Sequence, residues 1–105
     1  MHKEPNDERR RRLRIYHKTA FVFARAGGET VGGTTADISW GGFRFVSDQR
    51  LQIGETISTR LRFPNNVVHE VEGVIKGADS GNPARYNVAF TPRTIARLAA
   101  AWRGE

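Results

Sequence analysis

The sequence contains no cysteine, which removes disulfides, thiolate metal sites and cysteine nucleophiles together. That is compatible with the cytoplasm, where disulfides are rare. No apolar run approaches the roughly 18 residues that a membrane-spanning helix needs. The opening Met1-His2-Lys3-Glu4-Pro5-Asn6-Asp7-Glu8 is polar throughout, so residues 1–8 read as a flexible leader and not as a signal peptide. His17 and His69 stand apart from each other and from any carboxylate cluster at ligand spacing, which gives a metal no ligand set. Glu70 and Glu72 share one face of a strand pattern and read as solvated side chains. With no nucleophile–base pair either, the expectation is a chain without catalytic residues, metal or cofactor, one that acts by binding.

Arginine is what the chain has in abundance. Basic residues number 17 against 11 acidic ones, a net charge of +6, and 14 of the 17 are arginine. Residues 1–18 hold seven bases and three acids, a net of +4, most of it in the run Arg9 to Arg14. Arginine surpasses lysine where a planar fork must grip phosphate or a base edge, or lie on a ring. The charge therefore points to an anionic partner. By itself the run is equally a solvated basic arm or a nucleic-acid tail.

Residues 9–105 read as one domain of short strands. Ile15 to Ala26 is rich in β-branched and aromatic residues and predicts a first strand. Gly27-Gly28 is a turn signal, and Thr30 to Ser39 predicts a second strand, with Gly32-Gly33 expected to mark a bulge. Phe43 to Ser47 predicts a third. In the connection Asp48 to Glu55, Leu51 and Ile53 are expected to point inward. Thr56 to Phe63 alternates, with Ile57, Leu61 and Phe63 on one face. Pro64-Asn65-Asn66 is a turn. Val67 to Ala78 follows with Val67, Val71 and Ile75 in phase, and Ala84 to Thr91 buries Tyr86, Val88 and Phe90. Thr91-Pro92 opens a helix as N-cap and first-turn proline. Ile95, Leu98, Ala99 and Trp102 fall on one helical face, with Gly104 as cap. Strands at this spacing suggest a small antiparallel barrel, with the helix across a mouth or side.

Between the second and third strands lies Asp37-Ile38-Ser39-Trp40-Gly41-Gly42. Asp37 can accept from an N–H edge, and Ser39 can donate or accept. Gly41 and Gly42 allow a positive φ or the close approach of a ligand. The same residue types also make an ordinary strand-to-strand turn. Trp40 can stack on a base, face a partner, or cover the barrel end.

Taken with the arginine run, this stretch resembles the PilZ domain family. Arg10-Arg11-Arg12-Leu13-Arg14 matches the family's R-x-x-x-R element through Arg10 and Arg14. Asp37, Ser39 and Gly42 match its [D/N]-x-S-x-x-G element. The elements stand 23 positions apart, Arg14 to Asp37, with room for one strand out and one back. The resemblance covers roughly residues 9–103 and implies an all-β fold, a small six-stranded antiparallel β-barrel with a C-terminal α-helix. It implies a receptor for cyclic di-GMP, a bacterial second messenger, whose arginine arm wraps the ligand and whose bound state is passed to a protein partner. The implied ligand residues are Arg9, Arg10, Arg14, Asp37, Ser39, Gly41 and Gly42, with Trp40 as a ligand or partner contact. Arginine would grip phosphate or the guanine N7/O6 edge, and Asp37 the donor edge opposite. The alternatives are a basic nucleic-acid-binding barrel and a PilZ-like adaptor that works through protein contacts alone.

Overall fold

The computed structural model describes residues 15–102, and Arg9, Arg10 and Arg14 lie outside the described residues. The strands are β1 (Ile15–Tyr16), β2 (Ala20–Arg25), β3 (Thr30–Ser39), β4 (Gly42–Ser47), β5 (Thr56–Arg62), β6 (Val68–Asp79) and β7 (Ala84–Phe90). All neighbours run antiparallel, in the order β3-β2-β5-β6-β7-β4, and β4 pairs back onto β3 to close the ring. The result is the expected six-stranded barrel. Closure leaves no open edge in the ring, and β1 is an added short strand alongside the far half of β3.

Alternation decides what fills the interior. Phe21 and Phe23 on β2, Phe43 and Phe45 on β4, Ile57 and Leu61 on β5, and Tyr86, Val88 and Phe90 on β7 are all buried. Phe21 meets Phe45 edge to face, with ring centroids 5.3 Å apart, a geometry that favours the positive ring edge over the negative face. Tyr86 ties down the β4–β5 connection with its hydroxyl. That hydroxyl donates to the Gln49 carbonyl at 2.9 Å and accepts from the Leu51 N–H at 3.1 Å.

Four details depart from the sequence reading. The expected first strand is two, broken at residues 17–19, because the Thr35 hydroxyl is inserted there. It accepts from the Thr19 N–H at 2.9 Å and donates to the His17 carbonyl. Gly32 and Gly33 pair regularly with Val22 and Phe21, and the bulge falls instead between Thr35 and Asp37. A Cβ on Gly33 would stand 3.0–3.1 Å from Phe45 and Phe21, so that glycine makes room for core rings. Ile53 is 64% exposed while Leu51 is buried, and Val67, just ahead of β6, is 46% exposed. On the helix (Pro92–Trp102) the buried face is Thr94 and Leu98, with Ile95 largely exposed. Thr94 replaces Ile95 because its hydroxyl accepts from the Glu72 N–H at 3.0 Å, which pins the helix to β6. The Thr91 hydroxyl caps the helix, accepting from the Thr94 N–H at 3.3 Å.

Arg25 on β2 holds Glu55 through two guanidinium hydrogen bonds, one of them Nη2 to Oε1 at 3.1 Å. The Glu55 carboxyl is held below its ordinary range by those bonds, partly opposed by burial. A carboxyl depressed in the folded state adds stability above its unfolded value, and that stability is lost as pH falls through the folded value. Glu55→Gln should therefore melt below the unaltered protein at pH 7. The gap should close as pH falls below about 4, as read by thermal melts across pH.

Candidate functional site

The bulge at Ala36 decides which way the acidic motif faces. Along β3, Val31 and Thr35 are buried toward the interior. Strict alternation would carry Asp37 inward with them. One extra residue inverts the phase, so Ile38 joins the core and Asp37 and Ser39 turn to the outer face. Asp37 sits between two strands there, with Tyr16 of β1 opposite it on one side and Arg44 of β4 on the other.

Arg44 grips Asp37. Its Nε lies 2.9 Å from Oδ2 and 3.2 Å from Oδ1, and an Nη2–Oδ2 contact measures 2.7 Å. The Asp37 side chain is 6% exposed and that of Arg44 39%. The Arg44 guanidinium is held above its ordinary value by the hydrogen bonds to Asp37. Arg44 was not among the residues expected at the site, although a signal existed. A two-residue turn, Trp40-Gly41, sets Ser39 opposite Gly42, and counting back places Asp37 opposite Arg44. Arg44→Ala should cost about 1–2 kcal/mol, since a buried carboxylate loses its guanidinium bonds while the lost partner is itself partly solvated. Arg44→Lys should recover only part of this, because a point charge lacks the fork. Urea unfolding with an unchanged slope would measure both.

The other motif residues have distinct surroundings. The Ser39 hydroxyl donates to the Gly42 carbonyl at 3.3 Å across the hairpin. Gly41 has nothing within 4 Å of where a Cβ would stand. Gly42 does not take up a left-handed backbone, as Gly28 and Gly54 do. Its requirement is contact, for a Cβ there would lie 1.9 Å from the Val88 carbonyl oxygen of β7. Trp40 is 45% exposed and meets Trp102 edge to face at an interplanar angle of 87°. Trp102, expected in the core, is partly buried against it and also meets Phe63. His69 packs edge-on against the Phe63 ring. Among the described residues no group of three His, Asp or Glu could hold a metal ion, and no helix is long and apolar enough to cross a membrane.

The sequence profile of the PilZ domain matches residues 8–101, a span that includes both the arginine run and the acidic motif. The chain belongs to the PilZ domain family. Solved structures share its fold. The PilZ domain of CeSA from a cellulose-synthesizing bacterium is 21% identical, with a TM-score of 0.60 over 87% of this chain and 98% of that one. The PilZ domain of YcgR from Escherichia coli, solved with c-di-GMP, is 18% identical, with a TM-score of 0.60 over 86% of each chain. No curated protein matches.

Proposed function

We propose that this PilZ domain is a cytoplasmic, non-catalytic receptor for cyclic di-GMP that orders its arginine arm on binding and so signals to a protein partner. The observation that carries the reading is a register. Ile15, the residue after Arg14 in the sequence, pairs with Ile38, and Tyr16 pairs with Asp37. The chain thus enters the sheet from the arginine run directly beside the acidic motif. That adjacency supports a single ligand shared by both.

The two elements read different parts of that ligand. Arg10 and Arg14 grip phosphate or the N7/O6 edge of guanine, and Arg9 adds neighbouring charge. Asp37 accepts from the opposite, donor edge, with Arg44 setting the orientation of its carboxylate. Ser39 bonds phosphate or base, and Gly41 leaves the turn without a side chain that could obstruct it. The arm closing over the ligand makes a new surface near Trp40 for the partner.

Titration calorimetry of the full chain with cyclic di-GMP tests the reading, alongside hydrogen exchange of residues 1–14. Saturable heat with rising protection is expected. Absent heat would leave an adaptor that works by protein contacts. Binding to polynucleotide that falls steeply with salt, with no preference for the dinucleotide, would favour the nucleic-acid reading that the +6 charge allows. Heat without added protection would retain the receptor and remove the switch.

A further inference from the structure

One mouth of the barrel is an apolar hollow that, of the ligand contacts above, only Ser39 and Trp40 line. It has a volume of about 230 Å³ and is walled by Ile15, Ile38, Trp40, Phe63, Pro64 and Trp102, with Ser39 and Asn65 as its polar residues. Five elements meet there: β1, the end of β3, the Trp40-Gly41 turn, the turn after β5 and the end of the helix. Trp40 and Ile15 at its rim are 45% and 49% exposed. Apolar side chains are thus left to water beside the motif residues Asp37 and Ser39.

We propose that this hollow seats one purine base of the bound dinucleotide, stacked on the indole of Trp40, with Trp102 and Phe63 forming the floor. The inference rests on the cyclic di-GMP reading and adds a subsite to it. Ser39 belongs to both places, being a motif residue and part of the wall. Asp37 and Ser39 lie two residues apart on one strand face, about 7 Å along the strand. A dinucleotide held at Asp37 by one base then has the hollow, which Ser39 lines, next along the strand for its second. Aromatic walls suit a flat ligand, since every base has a π-face that stacks irrespective of its edge pattern. Ser39 and Asn65 can each meet a base edge with a donor or an acceptor. Trp40 sits on a turn and is half exposed, so it can be replaced without opening the core.

Cyclic di-GMP is titrated into the full chain and its Trp40→Ala and Trp40→Phe variants, by calorimetry and by tryptophan emission. Trp40→Ala is expected to bind roughly tenfold more weakly, the loss of one stacked base, with a melting temperature lower only by the several degrees that loss of the Trp102 contact costs. Trp40→Phe is expected to stay within about threefold. Its remaining indole, Trp102, is expected to change emission on saturation, because the base lies against it. Heat from the unaltered protein together with full-strength binding by Trp40→Ala overturns the subsite and leaves the receptor standing. Unchanged Trp102 emission at saturation does the same. No heat from the unaltered protein overturns both.

Discussion

Gly42→Val is expected to destabilise the barrel severely, while Gly41→Ala, one position away in the same motif, is expected to melt as the unaltered protein does. The difference lies in what each side chain would meet. A Cβ at Gly42 falls 1.9 Å from the Val88 carbonyl oxygen and 2.9 Å from the Val88 carbonyl carbon. Both are backbone atoms held in the β4–β7 ladder, which pairs Gly42 with Ala89 and Phe43 with Val88. No rotamer relieves that contact. Only separation of β4 from β7 does, and with it goes the core layer around Phe43 and Val88. Overpacking that forces backbone shifts costs about 1–3 kcal/mol and more where nothing can yield. About 4 kcal/mol or above is expected here, against a total of roughly 5–15 kcal/mol for a domain. A melting temperature lower by about 15 °C or more, or no cooperative transition, follows. At Gly41 there is open space and no left-handed backbone, so the change should stay within about 0.5 kcal/mol. If Gly42→Ala melted alongside Gly41→Ala, the close approach to β7 would not be what this glycine serves.

Where a residue's role follows from its neighbours in sequence, the chain could be read directly. The alternation of Ile57 and Leu61, and of Tyr86, Val88 and Phe90, mirrors the two-residue repeat of a strand against a core. Gly27-Gly28 turns the chain, and Gly28 does so with a φ of 96°. The motif spacing led to the family because it is a pattern in one dimension. What stayed hidden depends on partners distant in sequence. Nothing around Ala36 announces a bulge, and the Thr35 hydroxyl beside it finds its partners across the sheet at residues 17–19. Nothing around Gly42 says whether it serves φ or clearance, because the obstructing oxygen belongs to Val88. The Trp40–Trp102 contact joins residues 62 positions apart. Leu51 and Ile53 have the same chemistry, and the one tucked inward is the one whose N–H the distant Tyr86 hydroxyl bonds.

Replacing both Arg10 and Arg14 by alanine is expected to remove cyclic di-GMP binding while leaving folding untouched. Each arginine stands for one charge-assisted contact of about 1.5–3 kcal/mol. Two together give roughly 3–6 kcal/mol, or about 150-fold to more than 10⁴-fold in affinity. Among the described residues the ladders and core run from Ile15 onward, and thermal melts of the double variant are expected to overlay those of the unaltered protein. The decisive control holds charge constant. Arg11→Ala with Arg12→Ala removes the same two charges from the same run. If attraction of the field alone held the ligand, the two double variants would weaken binding alike, with the same change in salt dependence. If two forks at i and i+4 must each meet a defined group, the Arg11/Arg12 variant should keep its affinity to within about threefold, a loss of field only. Equal losses by calorimetry at one salt concentration would reduce the arm to a basic tail.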